Sequence, residues 1–340
     1  MKKYSKSSDF YKNIKSGFFD ENNEQLSLAL KKNKVYTAQP LRVKCKLCEH
    51  PLIRAADVSK HGVKYVFCRE CDHLNGLHQD TMEFAKEIYT DDGGANYSKF
   101  YMDDKYRDRL QHIYLPKAKF LLEELGSNVS TLYDYGCGLG HLVNAFRTIG
   151  ISADGGDVSE ILVSHGNDAI EQDHGMRPLD FISFEESSNH IKNLKVDVLS
   201  AMAVMEHLSN LEEFMDAVRQ CDFKYFYYSV PTYGLSVPVE AAFESIFPRH
   251  LSGGHTHLFT ERSLKTLHKK MNVTPIAEWR FGTDIQDLKR SLEISLSQSG
   301  ASDYYLNRFQ NEFSEYSDAL QATVDQAHNC SQIHVICKKN

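Results

Sequence analysis

From Thr131 onward, short apolar strands alternate with amphipathic helices, and this alternation restricts the larger part of the chain to a mostly parallel sheet with helices on both faces. Strands are expected at Thr131 to Tyr135, Ile151 to Asp157, Val196 to Met202, Lys224 to Val230 and Val273 to Phe281. Helices are expected at His141 to Ile149, Glu160 to Gln172, Leu211 to Gln220 and Glu261 to Lys270, with a weaker strand and helix between Met176 and Asn193. Tyr106 to Leu125 carries apolar residues at helical spacing, interrupted by Pro116. The last strand, Gln332 to Lys338, follows Asp284 to Asn329, a stretch too long for a loop, which predicts a helical insert at 284–329 covering one end of the sheet. The aromatic run Tyr225 to Tyr228 falls inside a strand and is expected to pack there, not to form a base-stacking surface.

A chain of 340 residues has room for about two domains. The acidic, glycine-rich stretch Thr90 to Gly94 suits a linker and places a boundary near residue 92. Residues 1–40 then form a polar arm with one short helix around Glu24 to Lys32 and little core of its own. Residues 41–90 form a cysteine module and 95–340 the sheet domain. The balance of 39 Lys and Arg against 46 Asp and Glu excludes the general basic field of an autonomous nucleic-acid binder. A local concentration survives in Lys44, Lys46, Arg54, Lys60, Lys64 and Arg69. No export signal is visible and no stretch holds the ~20 apolar residues of a membrane helix, so a cytoplasmic, reducing location is expected.

In that setting paired cysteines bind metal more often than each other. Cys45-Lys-Leu-Cys48 and Cys68-Arg-Glu-Cys71 are separated by 19 residues, the spacing of a four-thiolate zinc ribbon. Two intervening residues let both thiolates of a pair reach one ion, and four thiolates close its shell, so the zinc is structural. His50, His61, His73 and His78 are superfluous as ligands and are expected at the surface. Cys137, Cys221, Cys330 and Cys337 are expected to be ordinary thiols.

The first strand ends in Asp134-Tyr-Gly136-Cys137-Gly138-Leu-Gly140-His141. Alternate glycines at a strand-to-helix junction allow a tight turn and close approach of backbone to a ligand. His141 occupies the place of the third glycine of a dinucleotide motif, which argues against NAD. Asp157 ends the second strand, 21 residues after Gly136, where a carboxylate can accept both hydroxyls of a ribose. The strand through Ala201 and Met202 breaks into Glu206-His207-Leu208 at the same carboxyl edge, where ligands of open α/β sheets bind.

Over about Thr131 to Phe281 these features, with Val230-Pro231 closing the fifth strand, resemble the class I S-adenosylmethionine-dependent methyltransferases. The resemblance implies a Rossmann-like sheet with an antiparallel last strand. It implies S-adenosylmethionine as cofactor, with Asp134, Gly136, Cys137, Gly138 and Gly140 around its methionine part, Asp157 on the ribose, and Ala201 and Met202 as a wall. With a cysteine module in front, the chain resembles the nucleotide-sugar C-methyltransferases and related enzymes of bacterial surface-sugar pathways. Aligned on Phe259-Thr260, that resemblance places His255 on the family's basic histidine, with Gly254 standing where the family has glutamate; its tyrosines are echoed loosely by Tyr97, Tyr101 and Tyr106. A sugar acceptor, O- or C-methylated, is therefore expected, with His255 as base and His207 as a second polar contact; His257 is a further titrating group on the same loop. The quinone-pathway O-methyltransferases are also partly similar, but the acid of their metal motif is Ala203 here, so a catalytic metal is not expected. Two other classes stay open: an RNA base methyltransferase gripping RNA with the basic knuckle, and a partner protein that has kept only the scaffold.

Overall fold

The computed structural model describes residues 1–6, 21–53, 55–89 and 105–340. The expected linker Thr90 to Gly94 and its boundary near residue 92, together with Arg54, Tyr97 and Tyr101, lie outside the described residues.

In chain order, β1 (Lys2–Tyr4), α1 (Asn22–Thr37), β2 (Val58–Lys60), β3 (Val63–Phe67), β4 (Leu74–Gly76) and α2 (Met82–Tyr89) precede the sheet domain. There α3 (Tyr106–Arg109) runs through a π-helical turn, Leu110–Tyr114, into α4 (Leu115–Leu125). Pro116 does not break this run, because it sits in the first turn of α4, where a missing N–H costs nothing in hydrogen bonds. Then follow β5 (Thr131–Tyr135), α5 (His141–Thr148), β6 (Ser152–Asp157), α6 (Glu160–His174), β7 (Leu179–Phe181), α7 (Ser187–Lys192) and β8 (Lys195–Met202). The chain continues through α8 (Leu211–Gln220), β9 (Asp222–Pro231), α9 (Ser236–Ala242), β10 (His257–Leu258), α10 (Glu261–Met271) and β11 (Val273–Arg280). It closes with the expected helical pair, α11 (Asp284–Gln298) and α12 (Asp303–Gln326), and β12 (Gln332–Lys339). Local chemistry sets several boundaries: Ser159 caps α6 and Gly175 ends it in the left-handed region, while Thr260 and Ser263 form a reciprocal capping box on α10.

The large sheet has the order β1-β11-β12-β9-β8-β5-β6-β7. β5 to β9 are parallel, and β12 runs antiparallel to both β9 and β11. The chain builds outward from β5 to β7 and then returns to β8 on the other side of β5, so a crevice opens between the carboxyl ends of β5 and β8. One face packs Phe214, Phe226, Tyr228 and Leu267, the other Phe120, Phe146, Tyr227 and Trp279. The aromatic run thus inserts alternately into both cores, as strand periodicity requires.

The remaining strands form an antiparallel sheet, β10-β4-β3-β2, that carries the cysteine turns. Its edge strand β10 comes from the region after β9: His257 and Leu258 pair with Asn75 and Leu74. The cysteine module is therefore completed by the sheet domain. The N-terminal arm is likewise built in. β1 extends the large sheet beside β11, Tyr36 of α1 is fully buried and donates to the His78 carbonyl at 2.6 Å, and Asn33 Oδ1 accepts from the Gly253 N–H at 2.7 Å. The polar composition of the arm hid these contacts, because much of what it contributes is hydrogen bonding and not apolar area.

Two further expectations are corrected. His73 is fully buried, its Nε2 2.9 Å from Nδ1 of His257, and burial holds it down to about 3. Of the basic residues of the module, Lys46 and Lys60 are buried: Lys46 pairs with Asp80, which also takes Arg42, and Lys60 donates to the Phe243 carbonyl at 2.7 Å. Lys44, Lys64 and Arg69 are exposed.

Candidate active site

Three glycines of the loop after β5 adopt left-handed backbone, with φ of 70° at Gly136, 52° at Gly138 and 66° at Gly140. The loop is clamped to β6: the Gly136 and Cys137 N–H groups donate to the Gly156 carbonyl at 2.8 and 3.1 Å, and Gly138 N–H donates to Asp157 Oδ2 at 2.8 Å. The other Asp157 oxygen accepts from Ser159 N–H at 2.9 Å. Asp134 lies beneath the loop, fully enclosed, where Ser200 Oγ donates to it at 2.7 Å and burial pushes its carboxyl up to about 7.

A pocket opens above this loop at the crevice between β5 and β8. Gly136 and Asp157 face it, with Val158 and Ser159, Ile182 and Phe184 on one side and Ala203, Val204 and His207 on the other. Cys137, Gly138, Gly140, Asp134, Ala201 and Met202 are not among the residues that line it. The wall expected from Ala201 and Met202 is formed by the two residues after them, because Ala203 takes a left-handed φ of 56° that turns the chain out of β8. Ile182 and Phe184 could not be singled out in advance, since they follow a three-residue strand with weak periodicity.

His207 sits in the short turn Met205–His207. Its Nδ1 donates to the Gly254 carbonyl at 3.1 Å, and burial pushes it well below the ordinary histidine range. The ring of His255 lies 5.0 Å from that of His207, centre to centre. Burial likewise lowers His255, to about 4. Glu206 completes the group: it is buried, its Oε1 is 3.9 Å from His207 Nε2, and burial raises it to about 8. A second, smaller cleft borders the same histidine, walled by Asp80, Phe84, Glu206, Gly254 and Thr256. His207 is thus shared between the two. His257, by contrast, is turned into the small sheet against His73 and is enclosed.

The four cysteines of the module converge. Cys45 and Cys71 Sγ are 3.6 Å apart, Cys48 and Cys68 Sγ 3.5 Å, and all four lie within 4.8 Å of one another. Sulfurs around one zinc at ~2.3 Å would be spaced by roughly 3.8 Å, so the set fits a tetrahedral ion. Both turns have the same form: Glu49 N–H donates to the Cys45 carbonyl and Asp72 N–H to the Cys68 carbonyl, with Glu49 and Asp72 in left-handed backbone.

A family described as "Methyltransferase domain" matches residues 106–278, just over half of the chain. The chain belongs to this methyltransferase family. Its reaction class is S-adenosylmethionine-dependent methyl transfer. The methyltransferase is similar in structure to magnesium protoporphyrin IX methyltransferase from Synechocystis PCC 6803 with bound SAH, at 11% identity over 76% of this chain and 100% of that one, TM-score 0.49. It is also similar to a SAM-dependent methyltransferase from Archaeoglobus fulgidus (14% identity, 71% and 99% coverage, TM-score 0.45). A third is geranyl diphosphate C-methyltransferase from Streptomyces coelicolor A3(2) (12% identity, 70% and 85% coverage, TM-score 0.40). No curated protein sequence matches the chain. Among the described residues no helix is long and apolar enough to cross a membrane.

Proposed function

We propose that the methyltransferase transfers the methyl group of S-adenosylmethionine to a sugar, nucleotide-activated and destined for surface polysaccharide or a related glycan. The observation that carries this reading is that His207 borders both the pocket over the glycine loop and the smaller cleft beside it. The first takes the cofactor: Gly136 lets the methionine part approach the backbone, Asp157 takes the ribose hydroxyls, and Ile182 and Phe184 flank the base. Cys137, Gly138, Gly140, Asp134, Ala201 and Met202 belong to the elements that carry this surface. The bound cofactor supplies an activated sulfonium methyl, and what remains for the protein is to place the acceptor in line and exclude water.

The acceptor is placed beside His207, where Glu206 and Thr256 border the narrow second cleft and Asp80 is already engaged by Arg42, Lys46 and Thr256. His207 and His255 are the groups that activate the acceptor atom. Burial lowers both below the ordinary histidine range, which keeps them neutral near pH 7. Enclosure of Lys46 and Lys60 removes two cations from the basic knuckle, which weakens the RNA alternative. Cys45, Cys48, Cys68 and Cys71 hold a structural zinc that fixes the small sheet, and through β10 it fixes the strand next to His255. A cytoplasmic location accords with thiols kept reduced for metal.

Incubation with labelled S-adenosylmethionine and a panel of nucleotide sugars, followed by mass spectrometry, tests the assignment. A methylated nucleotide sugar is the expected product. His255→Asn should retain S-adenosylhomocysteine binding while turnover falls by about 10²–10⁴-fold. Label appearing in RNA and in none of the sugars would refute the saccharide assignment.

A further inference from the structure

Left-handed Ala203 turns the chain out of β8, and the short turn Met205–His207 that follows brings Glu206 to the wall of the narrow cleft. Its polar neighbours on that wall are already bonded inside the protein. Asp80 Oδ1 pairs with Arg42, and Asp80 Oδ2 takes both Lys46 and the Thr256 hydroxyl, which donates at 2.8 Å. The Gly254 carbonyl accepts from His207 Nδ1 at 3.1 Å. Glu206 differs from all of these. It is 2% exposed, and its Oε2 has no hydrogen-bond partner among the described residues. His207 Nε2, 3.9 Å from Oε1, is the one basic nitrogen within ion-pair range of it among the described residues. Arg42 and Lys46, the cations that reach this cleft, do so at Asp80.

A carboxylate buried without a cation or a donor is strongly unfavourable, and the group keeps its proton instead. Burial accordingly raises Glu206 to about 8. We propose that Glu206, as a neutral carboxylic acid, donates a hydrogen bond to an oxygen of the acceptor and so selects acceptors that present oxygen at this wall. The proposal rests on the reading that places the acceptor beside His207. A protonated carboxyl has a donor that a carboxylate lacks. The acid form therefore tolerates a hydroxyl or a phosphate oxygen, whereas a carboxylate would favour an ammonium group and repel phosphate. A ligand without the oxygen would leave the buried acid unpaired, which is the physical basis of discrimination at such a site. Glu206 holds the acceptor in place, and His255 and His207 remain the groups that activate it.

The donor form is present below about pH 8 and is lost above it, so acceptor binding weakens as pH rises through that value. Several other groups face Glu206. His207 and His255 offer nitrogen atoms within 4.8 Å of its carboxyl, and burial lowers both, so they titrate on the acid side. Across the cleft stands Asp80 with Arg42 and Lys46, and Lys32 of α1 packs its carbonyl against Gly253. Burial also lowers Lys46 and Lys32, so the alkaline loss is assigned to Glu206 by its disappearance when residue 206 cannot ionise.

Two measurements on the full-length protein test this. Infrared difference titration, which needs no acceptor, should show a carboxylic-acid carbonyl band at pH 7 that fades through about pH 8 and is missing from Glu206→Gln. Kinetics at saturating S-adenosylmethionine use whichever compound takes the label, nucleotide sugar or RNA. Wild-type kcat/KM should fall about tenfold between pH 7 and pH 9, through KM and not kcat. Glu206→Gln, whose amide still donates, should abolish this fall, and Glu206→Ala should raise KM about tenfold at pH 7. Both variants should bind S-adenosylhomocysteine as wild type does, which shows that they fold. An ionised Glu206 at pH 7, an alkaline fall that survives in Glu206→Gln, or a wild-type KM in Glu206→Ala would each overturn the inference. Label entering RNA and no sugar would overturn the saccharide assignment alone, because the Glu206 kinetics are then measured with that RNA.

Discussion

The three left-handed glycines are not equivalent, and alanine at each separates backbone strain from contact with the pocket. A left-handed α conformation costs a non-glycine residue about 1–2 kcal/mol. At Gly138 nothing lies within 4 Å of the added Cβ, so strain is the whole penalty. At Gly136 the Cβ would sit 2.6 Å from Val204 Cγ2, and Val204 is a β-branched residue in the pocket wall with little rotamer freedom. Overpacking adds about 1–3 kcal/mol, giving roughly 2–5 in all. At Gly140 the Cβ would meet Leu179 at 2.6 Å and Ile170 at 2.9 Å, a clash of similar size but in the core. An unfolding entropy near 2.1 cal/mol/K per residue means about 0.7 kcal/mol per degree for this chain, so Gly138→Ala should lower Tm by roughly 1–3 °C and the other two by roughly 3–7 °C. Calorimetry with S-adenosylhomocysteine then distinguishes the clashing pair. Gly136→Ala, which drives Val204 into the ligand space, should lose at least about tenfold in affinity, or ~1.4 kcal/mol, while Gly140→Ala stays near wild type. Wild-type affinity in Gly136→Ala, or a Gly138→Ala penalty as large as that of Gly136→Ala, would refute the reasoning.

Asp134 carries a pH signature. Burial raises its carboxyl to about 7 in the folded protein against 3.8 for the free group, so unfolding releases a proton between those values and stability falls as pH rises across that window. The deficit of Asp134→Asn relative to wild type should therefore shrink between melts at pH 5 and pH 8; a constant difference would mean that Lys117 keeps the carboxylate ionised throughout. Cys48→Ser should release zinc, measured by metal analysis, and speed amide exchange in β10 because Leu258 is paired to the cysteine-bearing sheet; full zinc retention would count against the four-thiolate assignment.

The six long strands β5, β6, β8, β9, β11 and β12 were legible because each is a short apolar run between helices with a 3.6-residue stripe, and all six begin and end within two residues of expectation, β5 matching throughout. The cysteine turns were legible for a similar reason: ligand spacing is a local property of the chain. Tyr106 to Leu125 was correctly helical, though the π-turn was not foreseeable from apolar spacing. Polar residues proved harder. His73, Lys46 and Lys60 have the composition of a surface, yet partners such as His257, Asp80 and the Phe243 carbonyl pay for their burial.

What the sequence by itself determined is the alternating α/β sheet, the glycine turn at its first junction and the tetrathiolate spacing, all set by interactions between residues near in the chain. Only the tertiary structure decided that β10 completes the cysteine sheet, that α1 locks onto Gly253, and that Glu206 and His207 meet His255, which lies on a distant loop. Those juxtapositions depend on how the sheet brings separate loops to one edge, and neither hydrophobic period nor motif spacing encodes which loops will face each other there.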